Sequence, residues 1–375
     1  MKVVLFDLFD ALLNKEWFDY EKALDFLATE CFDGRRTELA EYAKVYRCEY
    51  MLDRNETNIE VSFTDQLWYY EKCFQKQIAE SYQEVEWQAF SLCRSESLAD
   101  GAIELLAYFK SLGYRMAVLS NSIFSAITLK RYMQKYGILE FFENVYSSAD
   151  ITFRKPSQKA FEYVLTDMNL SPSREIHFIG NKKEKDVDGA LASGLTPILV
   201  GDAVDFDGLA FKDLRAVKNY FEENYVYINS IGEKESLADG PGLRTVVYFQ
   251  GCTRACPECH NPSTWSLSCG MRFSLDELIQ VLENKAKNKK VTLSGGDPLL
   301  QSKALLKLLQ KMQDYDICLY TGGEEKDVPE ELKKLLHYLK VGSYEKNKRT
   351  TTTPFVGSTN QVLIDLRRKH EAINQ

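Results

Sequence analysis

Apolar and polar positions alternate along the chain in two series of short buried runs and amphipathic stretches. In the first series, residues 3–9 (VVLFDLF) form an apolar, partly β-branched run that predicts a buried strand. Residues 102–114 (AIELLAYFKSLGY) show helical spacing and lead into a second strand at 115–122 (RMAVLSNS). A third strand, at 175–181 (EIHFIGN), follows the helical pattern of 158–170, and 186–195 then precede a short strand at 196–200 (TPILV). Strands alternating with helices predict right-handed crossovers and a parallel, doubly wound α/β sheet. Between the first two strands, residues 14–98 are dense in Trp, Tyr, Glu and Lys at helical spacing, with almost no Gly or Pro, which predicts an inserted helical cap. After a looser stretch at 212–225 a strand begins at 225–230 (YVYINS), which puts a boundary near Asn224. The second series then runs through strands at 244–251, 291–295, 316–322 and 362–366, with helices at 274–287, 302–313 and 329–339. The expected organisation is a domain over 1–215 and another over 225–375.

The chain's 375 residues exceed what one core usually organises, in keeping with two domains. Hydrophobic residues at 45% and charged residues at 27% exclude a disordered chain. A net charge of -8 disfavours a direct nucleic-acid binder, which needs a basic surface to neutralise phosphates. The first apolar stretch is interrupted by Asp7 and Asp10 and lacks a small-residue cleavage signal, and no apolar run is long enough to span a bilayer, so a cytoplasmic location with no membrane partner is expected. The nine cysteines are uneven: Cys31, Cys48, Cys73 and Cys93 are scattered through helical sequence as small hydrophobes, whereas Cys252, Cys256 and Cys259 are grouped. Grouping without an export signal points to metal or catalytic use over disulfides.

Three thiolates in one short loop suit three corners of an iron–sulfur cube with the fourth iron open to a ligand. A tetrahedral zinc is the alternative, with His260 or Cys269 as a fourth ligand. The strand at 291–295 ends in Ser294, Gly295, Gly296 and Asp297, where glycines let backbone approach a small ligand and the carboxylate accepts from an ammonium, an arrangement zinc does not require. Together with Asp239–Gly251, His260, Asn261, Trp265 and Tyr320–Gly322, these motifs resemble the glycyl-radical-enzyme activating proteins of the radical S-adenosylmethionine superfamily. Asn360–Gln361 and the compact length are similar to the anaerobic ribonucleotide reductase activators among them. The resemblance implies a partial (β/α) barrel, a 4Fe-4S cluster on the three cysteines, and S-adenosylmethionine chelating the open iron. It sets Gly295, Gly296 and Asp297 around the methionine moiety, His260 beside the adenine, and Tyr320 in the same site. Reductive cleavage would yield a 5'-deoxyadenosyl radical that abstracts hydrogen from a glycine of a partner such as anaerobic ribonucleotide reductase, with flavodoxin or ferredoxin as the kind of electron donor. Arg244 and Asp239 are expected either at the partner-facing opening or as a surface ion pair on a glycine turn, and Trp265 as packing.

In the first half, Asp7, Ser120–Asn121, Lys155–Pro156 and Gly180–Asn181 through Asp186 follow the order and strand-end positions of the haloacid dehalogenase-like superfamily, over about Met1 to Asp202. The resemblance implies a Rossmannoid sheet with Asp7 as nucleophile, Lys155 neutralising the attacked group, Ser120 as a hydrogen-bond donor, and Asp7 with Asp186 holding Mg2+. Two positions depart from the phosphatase pattern. Phe9 stands where the general acid and base belongs and cannot transfer a proton, and Asn181 removes one negative charge from the Mg2+ site. Asp10 falls on the wrong side of an extended chain if the strand continues through it. The sequence therefore reads as a radical activating enzyme fused to a domain of weak or lost phosphatase activity. The alternatives are a radical enzyme acting on a peptide or small molecule, and a hydrolase carrying a redox-sensing iron–sulfur domain.

Overall fold

A computed structural model describes residues 2–201 and 206–367. The expected endpoints at Met1, Asp202 and Gln375 lie outside the described residues. The chain forms two compact units, one of Lys2–Lys110 and Tyr114–Val217, the other of Ser111–Gly113 and the described residues of Lys218–Gln375.

The strands of the first unit are β1 (Val3–Phe6), β2 (Leu13–Phe18), β3 (Arg94–Leu98), β4 (Arg115–Ser120), β5 (Asn144–Ser147), β6 (Ile176–Gly180), β7 (Thr196–Val200) and β8 (Leu209–Phe211). Six make one sheet in the order β5-β4-β1-β6-β7-β8, with every pairing parallel. β1 is central and buried at all four positions, which is why it reads as an uninterrupted apolar run. Val3 and Leu5 share a core with Phe161, Val164 and Leu165 of the helix Gln158–Asp167, while Phe6 packs edge-on to Phe109 of the helix Ala102–Ser111 and to Phe142. Helices thus cover both faces, and the strands deliver their chemistry at their C-terminal ends. The inserted cap holds the helices Tyr20–Phe26, Arg36–Tyr50, Phe63–Phe74 and Tyr82–Leu92, but it is not wholly helical: β2 and β3 pair antiparallel where the chain leaves and rejoins the sheet. β2 is exposed at five of its six positions, so no apolar alternation marked it in the sequence.

The second unit contains β9 (Tyr225–Ile231), β10 (Thr245–Phe249), β11 (Met271–Ser274), β12 (Lys290–Gly295), β13 (Asp316–Tyr320), β14 (Tyr338–Val341) and β15 (Val362–Asp365). They form one sheet in the order β11-β9-β10-β12-β13-β14-β15, parallel from β10 to β14 and antiparallel at both edges. Helix Leu275–Lys285 starts at a Ser274/Glu277 capping box, and helix Ser302–Lys311 buries Ala304, Leu305, Leu308 and Leu309 on one stripe against the sheet core. The helix expected over 329–339 is divided. Only Glu330–Lys333 is helical, and Tyr338–Val341 becomes β14, because Leu339 and its neighbours pair with β13 on one side and β15 on the other. No described helix is long and apolar enough to cross a membrane.

Arg244 is neither at a surface opening nor in an ion pair with Asp239. It is fully buried and donates to Thr292 Oγ1 at 3.0 Å, Pro241 O at 2.9 Å, Val291 O at 3.0 Å and Asp316 Oδ1 at 3.0 Å, clamping the Asp239–Gly242 turn to β12 and β13. Asp239 instead accepts from Ser236 Oγ at 2.6 Å.

Candidate functional site

The C-terminal ends of β10, β12, β13 and β14 converge on a cavity of about 150 Å3 in the second unit. Cys252, Cys256 and Cys259 line it from the loop after β10, as do Gly295, Gly296 and Asp297 after β12, Tyr320 of β13, and His260. Every residue expected from the sequence to serve the cluster or S-adenosylmethionine is therefore in one wall. The three cysteines are free and half-buried. Among the described residues no three His, Cys, Asp or Glu side chains close on a common point as a mononuclear ion requires.

The glycine pair is set by close backbone approach. Gly295 has φ +100°, and a Cβ there would lie 2.6 Å from Phe249 N; at Gly296 it would lie 2.2 Å from Gly251 O. Gly296 N donates to Phe249 O at 2.9 Å and Asp297 N to Gly251 O at 2.8 Å, so the loop is fastened to the segment that leads into Cys252. Asp297 is buried, and its carboxylate accepts from Thr321 Oγ1 at 2.9 Å, Leu299 N at 3.2 Å and Arg254 Nε at 3.2 Å. Two buried donors in this wall, the Tyr320 hydroxyl and Trp265 Nε1, have no hydrogen-bond partner among the described residues. Trp265 is thus a lining residue as well as packing. Such orphaned atoms beside a glycine cradle and three thiols fit a polar bound group.

Three non-glycine lining residues were not singled out from the sequence. Arg254 joins the cysteine loop to Asp297, and the Lys340 ammonium sits 3.9 Å from the Tyr320 ring centre, where burial pushes its pKa down to about 8. Tyr344 packs against the His260 ring at 5.3 Å. Arg254 lies between two of the cysteines and could have been weighed there; Lys340 directly follows the 329–339 stretch read as a helix, which gave no reason to place it on a strand. Gln361 also lines the cavity: it accepts from Gly357 N at 2.8 Å and donates to Gly342 O at 2.8 Å, while Asn360 donates to Ser343 O at 2.8 Å.

In the first unit, the ends of β1 and β6 bring Asp7, Lys155 and Asp186 together. Lys155 Nζ lies 2.9 Å from Asp7 Oδ1 and 2.7 Å from Asp186 Oδ1, and is itself buried. Asp186 Oδ2 accepts from Asn181 N at 3.0 Å and Lys182 N at 2.9 Å. Asn121 grips Lys155 at both backbone atoms at 2.8 Å, next to the cis Lys155–Pro156 bond. Burial raises the Asp7 carboxyl to about 6 against the pull of the Lys155 ammonium. Burial opposes the charge on Lys155, but Asp186 and Asp7 outweigh it and raise the lysine above its ordinary value. Ser120 Oγ, at the end of β4, and Asn181 Oδ1, just after β6, are buried without a hydrogen-bond partner among the described residues.

The departures from a hydrolase pattern persist in three dimensions. Phe9 lies under the Arg94 guanidinium at 3.8 Å. Asp10 is unsuited for a different reason from the one the sequence implied. The strand stops at Phe6, and Asp10 sits in a left-handed turn (φ 59°), with its carboxylate 3.3 Å from Lys15 N. For Mg2+, the one ammonium of Lys155 already engages both carboxylates, and no third acid joins them among the described residues.

A model of the haloacid dehalogenase-like hydrolase family matches residues 1–194, over half of the chain, and a 4Fe-4S single cluster domain model matches residues 238–364. The anaerobic ribonucleoside-triphosphate reductase-activating protein of Vibrio cholerae is 34% identical over 140 residues, which are 34% of this chain and 90% of that protein. The chain belongs to both families, the hydrolases through its first unit and the reductase-activating proteins through its second. The activating protein of Escherichia coli K12 is 31% identical over 144 residues, 35% of this chain and 94% of that protein. The pyruvate formate-lyase-activating enzyme of Clostridium pasteurianum is 41% identical over 103 residues, 26% of this chain, but the match spans only 43% of that enzyme's length. The chain thus carries an iron–sulfur domain homologous to activating enzymes beside a hydrolase-family domain.

Proposed function

We propose that the second unit cleaves S-adenosylmethionine reductively and installs a glycyl radical on an anaerobic ribonucleotide reductase-like partner, with a small electron-transfer protein such as flavodoxin or ferredoxin as reductant. The observation that carries this reading is the meeting of three thiols, a glycine cradle and two unpartnered buried donors at one cavity. Cys252, Cys256 and Cys259 would hold the 4Fe-4S cluster. Bound there, cluster and S-adenosylmethionine together supply one-electron cleavage of the sulfonium, giving methionine and a 5'-deoxyadenosyl radical able to take hydrogen from a glycine.

The chain's own part is to bind, orient and exclude water. Gly295 and Gly296 keep side chains out of the space a methionine moiety would fill, and Asp297 supplies a carboxylate for its ammonium. Thr321 and Arg254 fix that carboxylate, so it is oriented before any ligand arrives. His260 and Tyr344 offer ring faces to an adenine, and the Tyr320 hydroxyl a hydrogen bond.

In the first unit Asp7 remains placed as a nucleophile, but Phe9 leaves no group to move the proton and Asn181 weakens any Mg2+ site, so phosphatase activity is weak or lost. Anaerobic reconstitution with iron and sulfide, reduction and addition of S-adenosylmethionine tests the radical reading. 5'-Deoxyadenosine that forms with the native chain and not with Cys256→Ala supports it; tight zinc with no cluster, or a cluster without cleavage, overturns it.

A further inference from the structure

Arg254, between Cys252 and Cys256 in the loop after β10, reaches along the cavity wall to Asp297, just past β12. The two oxygens of that carboxylate are not equivalent. Oδ1 accepts from Thr321 Oγ1 at 2.9 Å and Leu299 N at 3.2 Å, which fills its acceptor capacity. Oδ2 accepts from Arg254 Nε at 3.2 Å and from no other donor among the described residues. The guanidinium lies along Gly322 and Gly323. A Cβ at Gly322 would stand 2.6 Å from Arg254 Cδ and 2.9 Å from its Nε, and one at Gly323 would stand 3.2 Å from both Arg254 Nη2 and Asp327 Oδ2. Neither glycine has a left-handed backbone, so the passage of Arg254 is what keeps a side chain out at Gly322. The bridge is shaped to fit but loosely held: the Asp297 side chain is 7% exposed and that of Arg254 37%. The next residue, Ala255, has φ +44°, where a residue with a Cβ is strained unless its surroundings hold it.

We propose that Arg254 stands in for the ligand's ammonium: it occupies Asp297 Oδ2 in the empty site and leaves when the ligand's amino-acid moiety binds. This rests on the reading of the cavity as an S-adenosylmethionine site. Acceptor capacity remains only on Oδ2, so a ligand ammonium must come to the atom that Arg254 holds. Two positive charges on one oxygen would stand about 4 Å apart and repel each other. An ion pair with one partner so exposed contributes little, so the guanidinium yields to the ammonium and passes into water. Until then it keeps the buried carboxylate satisfied and in place. Its departure also unpins the loop at Ala255, between the first two cysteines, so ligand occupancy and the conformation of that loop bias each other.

The test measures binding of S-adenosylmethionine to the full chain, reconstituted with iron and sulfide but not reduced, so that affinity per cluster is read without cleavage. Arg254→Met keeps the length, removes the charge and should tighten binding about two- to fivefold, the contribution of one exposed ion pair that no longer has to be broken. Arg254→Lys restores a competing cation and should return the affinity towards the native value, while Asp297→Asn should weaken it. In the native chain, phenylglyoxal labelling of Arg254, read by peptide mass spectrometry, should rise several-fold when S-adenosylmethionine is added. That readout needs no variant and holds even if Arg254→Met assembles no cluster. Binding that Arg254→Met weakens or leaves unchanged, or labelling that falls or stays level at saturation, would overturn the proposal and leave the reading of the site standing. A native chain that holds its cluster and binds no S-adenosylmethionine would overturn both.

Discussion

Replacing Lys155 by Met should destabilise the first unit by about 3–5 kcal/mol near neutral pH, the usual cost of removing one partner of a buried ion pair. The side chain is almost fully buried, and its ammonium lies between Asp7 at 2.9 Å and Asp186 at 2.7 Å. Met matches its length and keeps the packing, so the loss isolates the charge. Asp186 retains two backbone donors and Asp7 retains Leu8 N at 2.9 Å, which places the cost within that range and not above it. Proton uptake offers an escape. In the native fold Asp7 is raised from 3.8 to about 6, so the folded state binds more protons than the unfolded state between those values, and the stability that protonation contributes is lost as pH rises through 6. Removing the ammonium pushes Asp7 higher still, and the penalty should therefore shrink as pH falls from about 8 to about 5, by about 1.4 kcal/mol for each unit of added shift. Urea unfolding at several pH values, with amide exchange on β1 and β6 peptides to report this unit alone, measures it. A cost under about 1 kcal/mol, or one flat with pH, would refute the argument that these three groups form a buried, mutually dependent cluster.

Three further outcomes follow from particular contacts. Gly296→Ala drives a methyl to 2.2 Å from Gly251 O, so the loop must move, and cluster content after reconstitution, measured as iron and sulfide per chain, should fall several-fold while the first unit's unfolding is unchanged. Arg244→Met strips a fully buried guanidinium from acceptors on four residues and should cost the second unit about 3–5 kcal/mol in urea, whereas a surface role predicts almost none. Millimolar Mg2+ should leave the first unit's melting temperature nearly unshifted, since a ligand stabilises only in proportion to its occupancy and Lys155 already satisfies both carboxylates.

Legibility in the sequence tracked how local each signal was. β1, β4, β6 and β7 are buried on both faces and announce themselves as apolar runs; β5 (NVYS) is bounded by polar residues at both ends and the three-residue β8 has no buried position, so neither shows a pattern. β14 was misread because LLHYL fits a helix as well as a strand until its pairing with β13 and β15 is known. The cysteine loop, the SGGDP turn and the Asp7–Lys155–Asp186 set were readable because fixed residue types recur at strand ends. What remained hidden is side-chain partnership at a distance: Arg254 reaching Asp297 and Arg244 buried against Asp316. No spacing rule encodes those meetings, because tertiary packing creates them.

The most direct test of the account is electron paramagnetic resonance on an anaerobic ribonucleotide reductase incubated with the reconstituted, reduced chain and S-adenosylmethionine. A glycyl-radical doublet that appears on the reductase, requires S-adenosylmethionine and is absent with Cys256→Ala is the expected result. Formation of 5'-deoxyadenosine at full rate with no radical on the reductase would contradict the claim that this second unit activates such a partner.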